Sequence, residues 1–124
     1  MRSWIPALAW ALIILVVTLM PAPAVPSSGF LDKYHFDKVV HAVLFGVLLI
    51  LVLRARGGVQ GDVGTRWAMV RWPALLVICF GALTEVLQEL LPFGRYGDLW
   101  DLLADSLGVS LAAVHLIRAS AKNI

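Results

Sequence analysis

Four stretches of the 124-residue chain are almost uninterruptedly apolar: Trp4 to Met20, Asp37 to Leu53, Trp72 to Leu91 and Leu99 to Ile117. None alternates as a half-buried strand does, and each comes near the ~20 residues needed to cross a bilayer. Pro73 stands where a first helical residue would, and Pro92 ends the third run. Asp37 and Asp98 are placed to cap the second and fourth helices. The connections, Pro21 to Phe36, Arg54 to Arg71 and Pro92 to Asp98, are short and contain no repeat. The pattern predicts an all-α, polytopic membrane protein, a single four-transmembrane-helix bundle over residues 1–124 with no separate soluble domain.

Composition strengthens that reading. Hydrophobic residues make up 60% and charged residues 15%, with a mean hydropathy of +0.87, and so small a globule has too little interior to hide that much apolar surface from water. The lipid bilayer is the expected partner. A net charge of +2 with scattered Lys and Arg does not form a nucleic-acid footprint. The lone Cys79 excludes an internal disulfide and a cysteine metal cluster, and is expected to be a small residue of the membrane core. Trp4, Trp10, Trp67, Trp72 and Trp100 lie mostly at span ends, as an aromatic belt does.

Basic residues set the expected orientation. Arg2, Arg54, Arg56, Arg66, Arg71, Arg118 and Lys122 flank one side of the spans, against Lys33, Lys38 and Arg95 on the other. Both termini are therefore expected in the cytoplasm, with the loops around Tyr34 and Gly94 outside. The first span, with Arg2 ahead of it and Ala22-Pro23-Ala24 behind, also resembles a cleavable secretory signal. Its apolar run is long for a signal, so an uncleaved span is expected.

Placing the acids changes the picture more. Asp62 is the only one on the basic side, whereas Asp32, Asp37, Glu85, Glu89, Asp98, Asp101 and Asp105 all fall on the other. Glu85, Gln88 and Glu89 share one side of a helix, and Asp98, Asp101 and Asp105 share a narrow stripe of another. His41, Glu85 and Asp105 each lie roughly 6 to 10 Å inside a helix end, so three spans bring ionisable groups into one layer. Facing lipid would cost several kcal/mol, about 3 by insertion scales, so an outward-opening polar pocket is predicted. Structural ion pairs such as Arg95 with Asp101 or Lys38 with a carboxylate are the competing reading. Around the pocket, Asp37, Glu85, Glu89, Asp98, Asp101 and Asp105 outnumber Lys38 and Arg95, an imbalance that protonation, a headgroup-level position or a cation would relieve. Glu89 and Asp98, nearest the helix ends, are expected at the surface.

A His among carboxylates can hold Mg or Mn, but no HExxH or Cys/His cluster is present, and no metal or cofactor is predicted. His35 and His115 are expected at interfaces. The spacing of Ala42 and Gly46, and of Ala104, Gly108 and Ala112, predicts close helix packing.

The runs Asp37-Lys38-Val-Val-His41, Glu85-Val-Leu-Gln88 followed by Pro92 and Arg95, and Asp101-Leu-Leu-Ala-Asp105-Ser-Leu-Gly108 resemble, in order and spacing, the recurrent DKxxH, ExxQ and DxxxNxxG elements of the VanZ-like family. The resemblance covers Asp37 to Gly108 and carries the family's polar positions onto Asp37, Lys38, His41, Glu85, Gln88, Arg95 and Asp101. Asp105 departs from it, standing where the family pattern has Asn. The family takes its name from a protein linked to low-level teicoplanin resistance. The resemblance implies a small bacterial cytoplasmic-membrane protein of envelope biology, does not imply that this chain confers resistance, and brings no reaction with it.

Four functions are consistent with these residues. In the leading one, the pocket formed by Asp37, Lys38, His41, Glu85, Gln88, Arg95, Asp101 and Asp105 binds an envelope lipid, cell-wall precursor or amphiphile. There Lys38 and Arg95 meet an anionic group that Glu85, Asp101 and Gln88 orient. An enzymatic version makes His41 or Glu85 the general base, Arg95 the stabiliser of developing charge and Asp101 the orienter. Proton or cation movement and a purely structural or partner-binding role complete the set.

Overall fold

The computed structural model describes residues 3–21 and 36–121, and four helices account for most of them. α1, Ile5–Thr18, starts with Pro6 in its first turn, where the missing N–H is not needed. It is 14 residues long, about 21 Å, and is the shorter companion of three helices long and apolar enough to cross a membrane.

α2, Phe36–Arg56, carries Asp37 in its first turn and Arg54 and Arg56 in its last, each charge opposing the helix dipole. Asp37 is therefore inside the helix rather than its cap. The chain leaves α2 through Gly57, whose φ of 122° suits glycine alone. The Gly57 and Gly58 N–H groups donate back to Arg54 O (3.2 Å) and Leu53 O (2.7 Å), closing the last turn.

α3, Val63–Leu90, is where sequence and structure differ most. The expected start at Pro73 is corrected: the helix begins ten residues earlier, and Pro73 is buried inside it. Asp62 makes this possible. Its carboxylate accepts the Thr65 N–H at 2.7 Å, giving an N-cap that tolerates the less apolar turn Val63–Arg66. Pro92 does end the helix, as expected: Leu90 is its last residue and Leu91, preceding the proline, is extended. α4, Leu99–Ala121, is capped by Asp98, whose Oδ1 accepts the Trp100 N–H at 2.8 Å.

The central contact is α2 against α4, and the small residues explain it. A Cβ on Gly46 would stand 3.0 Å from the Gly108 carbonyl, and one on Gly108 would overlap the Ala42 carbonyl. Only glycine allows backbones this close. Around them pack Phe45, Leu48, Leu49, Val109 and Ala112, with Val70 and Val77 from α3. α1 lies on α2 and α3 through Ile14, and Trp10 donates its indole N–H to Leu44 O at 2.9 Å. Trp10 is thus an interhelical tether rather than part of a belt. Trp4, Trp67, Trp72 and Trp100 remain exposed on the outer surface, as do Leu8, Leu76, Leu90 and Leu111, where lipid replaces water. Cys79 is also exposed, and so faces away from the packed interior.

Arg2, the Ala22-Pro23-Ala24 site, Asp32, Lys33, Tyr34, His35 and Lys122 lie outside the described residues.

Candidate functional site

The helix periods that place acids on one stripe of α4 and His41 one turn into α2 become a joint structure because Gly46 and Gly108 bring those two helices together. Lys38, in the first turn of α2, reaches across to α4. Its Nζ donates to Asp101 at 2.7 Å and Asp98 at 3.0 Å, and to Asp37 on its own helix at 3.2 Å. One ammonium thus holds three carboxylates. The expected pairing of Lys38 with a carboxylate is present; Arg95 makes no ion pair among the described residues.

Deeper by one turn stands His41. Its Nδ1 is 2.9 Å from Asp105 Oδ1 and its Nε2 is 3.7 Å from Asp101 Oδ2. Asp101 therefore joins the two levels, since its other oxygen accepts from Lys38. The imidazole stacks on Phe45, whose ring closes the site toward the bundle interior.

Glu85 enters from α3. Its Oε2 accepts the Asp98 backbone N–H at 2.6 Å, so the same carboxylate that lies beside His41 also fixes the start of α4. Glu89, one turn on, is exposed and accepts the Gly97 N–H at 3.1 Å. Asp98 is half-buried, and its carboxyl is held below the usual range by the Trp100 N–H first and the Lys38 hydrogen bond second.

Gln88 turns elsewhere. Its Nε2 donates to the Thr18 carbonyl at 2.7 Å, tying the end of α1 to α3. The site therefore gathers Asp37, Lys38, His41, Glu85, Asp101 and Asp105, with Gln88 one turn away holding α1.

The chemical feature of this layer is its unfilled capacity. Glu85 Oε1, Gln88 Oε1 and Asp105 Oδ2 are buried and have no hydrogen-bond partner among the described residues. Each such oxygen costs about 1–3 kcal/mol when nothing compensates it. Asp105 is wholly enclosed, and Gly81 makes the room: a Cβ there would stand 2.7 Å from Asp105 Oδ2. His41, Glu85 and Asp105 each offer a ligand atom, and those three atoms lie within 4.8 Å of one another. The residues thus have the composition and proximity to hold a cation.

Beside the cluster an open groove of about 400 Å³ runs between α2 and α4, lined by Val39, Ala42, Val43, Ala104, Leu107 and Leu111, with Lys38 at its polar end. A second apolar groove, about 390 Å³, lies under α1 and has Arg56 in its wall.

Sequence reasoning missed Arg66. It counts there as a loop cation, yet it is 4% exposed within α3, donating to Ile117 O at 2.9 Å and to Asp62 O at 3.3 Å. Its signal is local: Asp62 three residues before Thr65 marks a helix start, which puts Arg66 in the first turn.

A family model described as VanZ/LLP1 matches residues 4–119 of the chain. No curated protein and no solved structure matches it.

Proposed function

The chain belongs to the VanZ/LLP1 family, and from that premise we propose that it is a receptor for an amphiphile in the bacterial cytoplasmic membrane. The aliphatic part lies in the α2–α4 groove and the headgroup against the carboxylates around Lys38. The observation that carries this reading is the groove itself: an apolar cleft of about 400 Å³ with Lys38 of the charged cluster in its lining. Lys38 is already shared among three carboxylates, of which Asp37 is 60% and Asp98 40% exposed at the side chain. An excess of accessible negative charge selects a headgroup bearing an amine. The anionic group expected of Lys38 and Arg95 is the weaker candidate, because every Lys38 donor already has an acceptor. An envelope lipid or lipid-linked wall precursor with an amino group has the required chemistry, and a change in glycopeptide susceptibility would be its cellular readout.

Amphiphiles of matched chain length and different headgroup test this in detergent solution. Amine-bearing ones raise the unfolding temperature, carboxylate- or sulfonate-bearing ones do not, and Ala104→Phe, which fills the groove, removes the effect. Equal stabilisation by all headgroups overturns the reading.

The orientation in this proposal puts the acidic end outside, in keeping with the bias of Arg residues to the other end. With Cys79 replaced by Ser, a cysteine at Tyr96 should react with an impermeant maleimide on intact cells and one at Gln60 should not. The opposite labelling reverses the topology.

A second reading, acid–base chemistry on a lipid-linked substrate, is favoured by His41 standing between Asp101 and Asp105, the setting of an oriented general base. His41→Gln and Glu85→Gln should then keep the fold and abolish turnover. Unchanged turnover removes both residues from that role.

A further inference from the structure

We propose that His41, Glu85 and Asp105 form an intramembrane site for one divalent transition-metal cation, of the Mn²⁺, Fe²⁺ or Zn²⁺ class.

Three observations converge on it. The three side chains come from α2, α3 and α4, all are buried, and their ligand atoms lie within 4.8 Å of one another. Metal bonds of about 2.0–2.2 Å place ligand atoms at most about 4.4 Å apart, so small side-chain rotations close the set around an ion.

Each carboxylate, moreover, is half engaged. Glu85 Oε2 is anchored by the Asp98 N–H and Asp105 Oδ1 meets His41, while Glu85 Oε1 and Asp105 Oδ2 have no partner among the described residues. One oxygen tied by a hydrogen bond and the other left for an ion is how ligating carboxylates are held in metal sites. His41 is equipped in the same way. Whichever ring nitrogen ligates, the other retains a carboxylate, Asp105 beside Nδ1 or Asp101 near Nε2. Asp101 is itself steadied by Lys38.

Charge gives the valence. Glu85 and Asp105 are two carboxylates at a depth where unpaired charge is costly, and the nearest ammonium, Lys38, is bonded to Asp37, Asp98 and Asp101 instead. A doubly charged ion balances the pair. The donor set then gives the class: one imidazole nitrogen with two carboxylate oxygens suits Mn²⁺, Fe²⁺ or Zn²⁺ better than Ca²⁺, which takes six or more oxygens. Asp37 and Asp98, with carboxylates 60% and 40% exposed, share Lys38 with Asp101, which stands 3.7 Å from His41.

The site stands apart from the groove reading, because its occupancy is measured with no amine-bearing amphiphile present. The full chain, purified in detergent and stripped with chelator, is given Mn²⁺, Zn²⁺, Mg²⁺ or Ca²⁺; bound metal is counted after desalting and unfolding temperature is recorded. About one equivalent of Mn²⁺ or Zn²⁺ is expected, with a raised unfolding temperature. Asp105→Asn and His41→Gln should each weaken binding at least about tenfold, with Asp105→Asn remaining folded in chelator. Should His41→Gln fail to fold, ¹⁴N coupling in the electron spin echo of bound Mn²⁺ tests the imidazole in the unaltered protein. The proposal is overturned if no ion is retained, if Mg²⁺ or Ca²⁺ binds with equal strength, if Asp105→Asn keeps full affinity, or if the coupling is absent.

Discussion

The two ends of the bundle bury charge in opposite ways. At one end Arg66 is almost fully enclosed, and its donors meet the main-chain carbonyls of Ile117 and Asp62. Nε and one terminal nitrogen of the guanidinium are engaged, and these two bonds lock the end of α4 to the start of α3. At the other end Lys38, His41 and five carboxylates form a layered network in which one buried oxygen each of Glu85 and Asp105 has no partner among the described residues. Among the described residues no Arg66 nitrogen is a buried atom without a partner, whereas one oxygen each of Glu85 and Asp105 is. Paired polar contacts hold helices together, while the unpaired oxygens are where the proposed cation would bind.

Removing Arg66 is the most damaging way to probe that contrast. Arg66→Met should lower stability by about 2 kcal/mol, because it strips charge-assisted bonds from two carbonyls; equilibrium unfolding in mixed micelles measures it. At the opposite end Asp105→Asn should, in chelator, leave stability unchanged or raise it by about 1 kcal/mol, since it removes a buried charge and keeps an acceptor for His41. A loss as large as that of Arg66→Met would erase the distinction between the two ends. Gln88→Met is intermediate. It loses the bond to Thr18 but also removes an unpaired oxygen, so a net change under about 1 kcal/mol is expected in the same assay.

The smallest effect concerns the caps, in which the two ends resemble each other. Asp62, through the Thr65 N–H, and Asp98, through the Trp100 N–H, both have carboxyls below the ordinary range. Stabilisation from such groups is complete above the unfolded value, about 3.9, and is lost as pH falls through the lower folded value. The hydrogen-bonded amides of the first turns of α3 and α4, Thr65, Arg66 and Trp100–Leu102, should therefore keep their protection at pH 5 and lose it together in strong acid. Hydrogen exchange corrected for intrinsic rates reads this, and early loss at one end alone would show that its cap depends on something other than the carboxylate.

Much of this architecture is legible in sequence. Apolar runs, Pro92 and Asp98 announce three of the four helices and their ends, and the small residues at 42, 46 and 108 announce the α2–α4 contact. The start of α3 is not legible by hydropathy, because Gly64, Thr65, Arg66 and Arg71 dilute the run before Trp72. Only the cap at Asp62 betrays it. Pro73 misleads for a related reason: proline marks a helix start more often than a helix interior, yet neighbouring helices in a membrane bundle can support an internal one. Trp10 misleads as well, since a tryptophan near a chain terminus fits an aromatic belt until its indole is seen to reach Leu44 O.

By itself the sequence determined that four apolar helices form, which side of α3 and α4 is polar, and that the acids collect at one end. Those properties follow from periodicity and from the high cost of charge in hydrocarbon, and need no knowledge of neighbours. Tertiary structure decided the partnerships: Lys38 with Asp98 and Asp101 some sixty residues away, His41 with Asp105, Gln88 with Thr18, and Arg66 with Ile117. Periodicity sets an angle around one helix axis but leaves the rotation and approach of its neighbours open. A hydrogen bond and an unpaired oxygen differ by only an ångström or so, and that difference arises where Gly46, Gly81 and Gly108 let three helices close on one another.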